Sequence, residues 1–203
     1  MPALLTIWIY VMVASTFVPQ SFAQTPKELA GFVLGSEIEQ YQNRLQPDSA
    51  LPIRDMRFLT EIQVKQIGGY RKGYLVYGEC EQPGRIVRIK LKYDDESKPF
   101  YDRLLTAFKK TYGKPDEWRG DAFHHFVAWK WSMKDEQGDR ISMILQHSTA
   151  DDLEHPKGNT IKLTNWSQIE RERRCHEGKQ PATKDEPEKA PVRIPSLEYF
   201  IPK

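Results

Sequence analysis

The chain contains five histidines, and two of them, His124 and His125, stand side by side. Neutral imidazole ligates metals and serves as a base near neutral pH, so these residues come first. The surrounding pattern, Ala122 to Ser132, alternates as a strand does, and adjacent strand residues point to opposite faces. His124 and His125 therefore cannot hold one metal ion together. His125 shares a face with Phe123, Val127, Trp129 and Trp131, and His147 shares one with Ile141, Met143 and Leu145. A cross-strand pair of His125 and His147 would suit a small secreted hydrolase. The plainer reading is a hydrogen-bonded histidine in the core or at its rim. Neither His-Glu-x-x-His, Cys-x-x-Cys nor Gly-x-Ser-x-Gly occurs, so the sequence assigns no catalytic residue, no metal ligand and no cofactor. Asp151-Asp152-Leu153-Glu154-His155 gathers oxygen and nitrogen ligands in one loop, but without the alternating spacing of a calcium loop, and it reads as solvated.

A second constellation is electrostatic. Arg88, Lys90 and Lys92 alternate with Val87, Ile89, Leu91 and Tyr93, which puts three cations on one face of a strand and apolar residues on the other. Arg71, Lys72 and Arg85 extend the row from neighbouring positions. Such a row is the ordinary solvent face of an antiparallel sheet, and it also fits an anionic partner: an acidic protein or an envelope polymer such as lipopolysaccharide or peptidoglycan. The formal net charge is only +2, with 30 basic against 28 acidic residues, so a nucleic-acid partner is not expected. Trp129 and Trp131 share a strand face. They read as packing beneath a helix, with a stacking platform for glycans or a protein as the alternative.

Three helices and two groups of strands would position these residues. Ser36-Glu37-Ile38-Glu39 has the form of a capping box and opens a short helix that stops before Pro47. Ser97 caps a second helix, with Pro99 in its first turn, a stripe of Phe100, Leu104, Leu105 and Phe108, and Gly113 and Pro115 at its end. Ser167-Gln168-Ile169-Glu170 opens a third, which runs to about Glu177 and stops at Gly178. Between them lie strands at Met56 to Gln66, Lys72 to Cys80 and Arg85 to Tyr93, then Ala122 to Ser132, Arg140 to Ser148 and Asn159 to Leu163. Gln82-Pro83-Gly84 between two of them is a type II turn signal. The expected fold is α+β, in the order α-βββ-α-βββ-α, with antiparallel sheets and the helices packed on one face. The two halves suggest an internal duplication, although no residue-level identity links them.

The first 23 residues read as a signal peptide: an uncharged apolar run from Leu4 to Val18, then Ser21-Phe22-Ala23 before Gln24. An uncleaved anchor is the alternative, interrupted by Pro19, Gln20 and Ser21. In an oxidising compartment the two cysteines, Cys80 and Cys175, are expected to form one bridge. The loop it closes would stabilise by at most roughly 4–5 kcal/mol in the chain-entropy model, an upper figure that native strain and residual unfolded structure reduce. Residues 24–177 are expected to form one α+β domain. Residues 178–203 read as a disordered tail rich in Pro and charge, ending in the apolar segment Ile194 to Ile201.

Gly31-Phe32-Val33-Leu34-Gly35-Ser36, followed by a short helix and a meander, resembles the opening of small bacterial periplasmic α+β modules, namely the β-lactamase-inhibitor-like proteins and the small lipoproteins of the outer-membrane assembly machinery. The resemblance covers about fifteen residues, and the cysteine that a lipoprotein needs is missing. It implies a non-catalytic module that offers a sheet face or a loop to another protein. The sequence thus points to a periplasmic or secreted, non-enzymatic binding module, soluble once the leader is removed, with a small secreted hydrolase built near His125 and His147 as the alternative.

Overall fold

A computed structural model describes residues 25–122, 125–150 and 157–179. The leader, the Asp151–His155 loop, His124 and the tail beyond residue 179 lie outside the described residues. A small hairpin comes first, with β1 (Glu28–Leu29) and β2 (Phe32–Val33) joined at Ala30 and Gly31, both at positive φ. A 3-10 helix, Ile38–Arg44, follows. Four strands come next: β3 (Leu45–Ile53), β4 (Met56–Val64), β5 (Tyr70–Gly78) and β6 (Ile86–Tyr93). Helix α1 (Lys98–Tyr112) leads into four more: β7 (Glu117–Gly120), β8 (Phe126–Lys134), β9 (Arg140–Ser148) and β10 (Gly158–Asn165). Helix α2 (Trp166–Lys179) closes the described chain.

The eight strands from β3 to β10 form one antiparallel sheet in the order β3-β4-β5-β6-β10-β9-β8-β7. Each half is a four-strand meander, and the last strands of the halves, β6 and β10, pair at the centre. Strands β4, β5 and β6 have 9, 9 and 8 residues, and β8, β9 and β10 repeat those lengths. The fold is α+β as expected, but the order is not α-βββ-α-βββ-α. One edge strand completes each half, β3 the first and β7 the second. Pro47 and Pro52 in β3 cannot donate to a ladder, which an outermost strand tolerates on its unpaired side.

The core lies mainly on one face of the sheet. Leu75, Ile89, Leu91, Leu145, Ile161 and Leu163 are buried there beneath the 3-10 helix and α1. Helix α1 starts where Ser97 Oγ accepts the amide of Phe100, and it ends at Gly113. The expected stripe of Phe100, Leu104, Leu105 and Phe108 packs on this core, and Tyr101 is its fully buried residue.

Helix α2 does not join that layer. Its Ile169 packs with Phe58, Leu59, Val76 and Val87 in a second cluster, on the opposite side of the sheet. A bulge makes this cluster: Val76 pairs with Arg88 and Tyr77 with Ile86, leaving Val87 unpaired and turned towards α2. The helices therefore sit on both faces, not on one, because burying Ile169 requires the apolar corner that the bulge creates. The helix starts also differ in detail. Ser36 Oγ donates to the carbonyl of Val33 instead of capping, and the following turn is 3-10 with no side-chain cap. Asn165 Oδ1, not Ser167, accepts the amide of Gln168 at the start of α2, and the helix runs through Gly178 to Lys179.

Cys80 and Cys175 are bonded, with Cα atoms 5.8 Å apart, which ties α2 to the loop after β5. Beside the bridge, the buried carboxylate of Glu172 accepts the amides of Cys80, Glu81 and Gln82 at 2.7, 3.0 and 2.8 Å. That loop turns through Gln82-Pro83-Gly84 as a type II turn, with Gly84 at φ +81° and the amide of Arg85 donating to the carbonyl of Gln82 at 3.1 Å. Gly78 is required for a different reason: a Cβ there would stand 2.4 Å from the Glu172 carboxyl group. Among the described residues no helix is long and apolar enough to cross a membrane.

Candidate functional site

Register arithmetic maps the sheet face opposite the main core. One row crosses the strands through Glu117, Lys130, Ile144, Lys162, Lys90, Tyr74 and Gln63. Beside it on one side lie Arg119, Ala128, Gln146, Thr160, Lys92 and Lys72, and on the other Ser132, Ser142, Thr164, Arg88, Val76 and Glu61. Helix α2 crosses one end of this face, from Ser142 on β9, to which Trp166 donates, to Val76 and β4. The expected patch of Arg88, Lys90 and Lys92 is thus placed on one strand and one face, with Lys72 directly across from Lys92. Arg71 and Arg85 stand apart from it: Arg71 pairs with Glu96, and Arg85 pairs with Glu37 at 3.0 Å.

The structure adds residues that strand alternation alone did not link to the row. Lys162 on β10 lies directly across from Lys90, and Lys130 and Arg119 continue the charge towards β7. The signal available in the sequence was the alternation Thr160-Ile161-Lys162-Leu163-Thr164, in which polar residues face one way. Burial, and then the charges of Arg88, Lys90, Arg119 and Lys130, pull the Lys162 ammonium down to about 8. No salt bridge among the described residues engages Arg88, Lys90 or Lys162. Two carboxylates share the face. Glu117 pairs with Arg119 at 2.6 Å and Lys130 at 3.1 Å, which holds its carboxyl below the usual range, and Glu61 lies towards Arg88.

Three further atoms of this surface are unusual. Thr160 Oγ1, Thr164 Oγ1 and Arg88 Nε are buried with no hydrogen-bond partner among the described residues, and Thr160 is only 3% exposed and Thr164 not at all. Buried polar groups are normally satisfied by protein, water or an ion. The β6–β10 seam therefore sets the buried threonines Thr160 and Thr164 beneath a row of cations, with Lys162 across from Lys90, Thr160 across from Lys92 and Thr164 across from Arg88.

The histidines take separate places. His147 is buried, its Nδ1 is 2.8 Å from Asn159 Oδ1, and its ring packs on Tyr101. The Asn159 amide in turn donates to the carbonyls of Asp95 and Ser97, so this chain of bonds fixes the start of α1 against the sheet. His125 is exposed in the bend before β8, with Nδ1 3.1 Å from Thr149 Oγ1. No group of three or more His, Cys, Asp or Glu side chains suited to a metal ion occurs among the described residues. Trp131 is core, with its indole N–H donating to the Gly113 carbonyl and its ring against Phe108. Trp129 is half-buried beside Trp118 and Lys109, so the two tryptophans do not form a common open platform. Comparison with protein-family models, with curated proteins and with solved structures finds no match for this chain.

Proposed function

We propose that the protein is a periplasmic or secreted, non-enzymatic binding module whose basic sheet face takes an anionic partner. The observation that carries this reading is the Lys162–Lys90 seam: like charges directly opposed on neighbouring strands, partly desolvated, and without a salt-bridged carboxylate among the described residues. Opposed like charges destabilise a sheet, so their value lies in what they meet from outside. The bridge between Cys80 and Cys175 and the leader-like first 23 residues support an oxidising compartment. The opening at Gly31–Ser36, with its resemblance to periplasmic binding modules, supports the same class.

Binding to an immobilised polyanion across a salt series tests this reading. The wild-type chain is expected to bind at low ionic strength and to lose affinity as salt rises. The double variant Lys90→Met, Lys162→Met is expected to bind at least tenfold more weakly with its fold intact. Equal binding by both proteins would refute the assignment of this face.

A further inference from the structure

The basic face does not end in charge alone. Next to it a groove of about 490 Å³ is lined by Lys130, Ser132, Arg140, Ser142 and Trp166. Trp166, the first residue of α2, is 41% exposed, although its indole N–H donates to Ser142 Oγ at 2.8 Å. That bond fixes the ring at the border of the cationic array. The register makes the groove and the array continuous, since Ser142 pairs with Thr164 and Thr164 with Arg88, while Lys130 and Lys162 both pair with Ile144. The Arg88 guanidinium stands 5.9 Å from the Trp166 ring.

We infer that the partner is an anionic glycan, read by the Trp166 groove together with the Lys130–Lys162–Lys90 row. This rests on the binding-module reading above and names its ligand class. A pyranose ring has one face of C–H groups that packs on an indole, and its acidic substituents project from the rim towards cations. An orientated, half-exposed tryptophan beside a row of lysines supplies both contacts at once. Lys130 and Lys162 are separated by one strand, about 10 Å, close to the span of two linked sugar rings. A polyglutamate chain would use the lysines equally well, but it has no flat apolar ring face to lay on the fixed indole.

Three probes separate the contributions in fluorescence and calorimetric titrations of the full mature chain: short dextran sulfate, neutral dextran and polyglutamate. Dextran sulfate is expected to bind and to perturb tryptophan emission, and neutral dextran to bind at least a hundredfold more weakly. Trp166→Leu is expected to weaken dextran sulfate at least tenfold and to leave polyglutamate within twofold. Ser142→Ala, which frees the indole but keeps the ring, is expected to weaken dextran sulfate severalfold, and it guards against misreading a folding defect in Trp166→Leu. If both variants bind dextran sulfate as the wild type does, or lose polyglutamate in equal measure, or if neutral dextran binds equally, the glycan inference is overturned while the basic face stands. If neither polyanion binds, or if Lys90→Met, Lys162→Met changes nothing, the binding-module reading falls with it.

Discussion

Lys162 lies directly across from Lys90, where β10 pairs with β6 at the junction of the two four-strand halves. Each is the fifth residue of its eight-residue strand, so the two lysines hold equivalent positions in the two halves. Two ammonium groups on neighbouring strands repel, and one of them is held in a partly dry setting. The centre of the sheet therefore carries an electrostatic cost that no described carboxylate offsets.

Removing that cost should stabilise the fold. Lys162→Met keeps the length of the side chain and removes both the desolvated charge and the repulsion from Lys90. Denaturant unfolding at pH 7 should show a gain of about 1–3 kcal/mol, together with weaker polyanion binding. A loss of stability would mean that the ammonium group has a partner that holds the sheet together.

The same residue sets an alkaline dependence. Its ammonium group titrates near 8 in the folded chain and at its ordinary value near 10.5 when unfolded. Between those values the unfolded state binds more protons, so stability should rise with pH from about 8 to 10.5, and below 8 the penalty is present in full. Arg88, Lys90, Arg119 and Lys130 face the group and depress it, and Glu117 and Glu61 are the carboxylates on the same face. A bound polyanion should reverse the shift, so binding near pH 8.5 should take up protons. Calorimetry in two buffers of different ionisation enthalpy measures that uptake, and Lys162→Met should abolish it.

Acid acts elsewhere. Asp139 in the turn before β9 accepts two hydrogen bonds from Arg171 of α2, at 2.9 and 2.8 Å, and one from Asn165. Arg171 first, and then Asn165, pull its carboxyl from 3.8 down to about 2. This stabilisation is present above pH 4 and is lost as pH falls through the folded value near 2. With both side chains partly exposed, Asp139→Asn should cost about 1–2 kcal/mol at pH 7 and flatten the acid limb between pH 4 and 2. Unchanged stability in the variant at pH 7 would show that α2 is held by its other contacts.

The loop after β5 is fastened twice, once by the disulfide to Cys175 and once by the Glu172 carboxylate one turn earlier in α2. Reducing the bridge should cost about 2–4 kcal/mol. Gly78→Ala should cost a similar amount, because its Cβ displaces the buried carboxylate from three amides. Urea unfolding of the reduced protein and of the variant measures both. A variant as stable as the wild type would show that the carboxylate can move at little cost.

The sequence made the six inner strands, α1 and the disulfide legible because each carries its signal locally: alternation, a capped amphipathic stripe, or an even cysteine count. In the eight-strand sheet the two strands it concealed are the outermost ones, and the two-residue strands of the small hairpin, β1 and β2, were too short to show. Two prolines masked β3, and β7 has four residues, too few for alternation to show. Edge strands have one neighbour, so their side chains are less constrained by burial. The side of the sheet that α2 covers was illegible because it depends on a bulge at Val87, and bulges arise from pairing between distant segments. Half of the basic patch was visible for the same reason: Arg88, Lys90 and Lys92 lie on one strand, whereas Lys162 joins them only through β6–β10 pairing across some seventy residues of chain.

Lysine acetylation footprinting, read by mass spectrometry with and without dextran sulfate, tests the central claim most directly. Lys90, Lys130 and Lys162 should become protected together, while Lys110 on α1 and Lys114 after it, on the other side of the sheet, react at unchanged rates. Equal labelling of Lys90, Lys130 and Lys162 in the presence and absence of the polyanion, under conditions where it binds, would contradict the assignment of the basic sheet face as the binding surface.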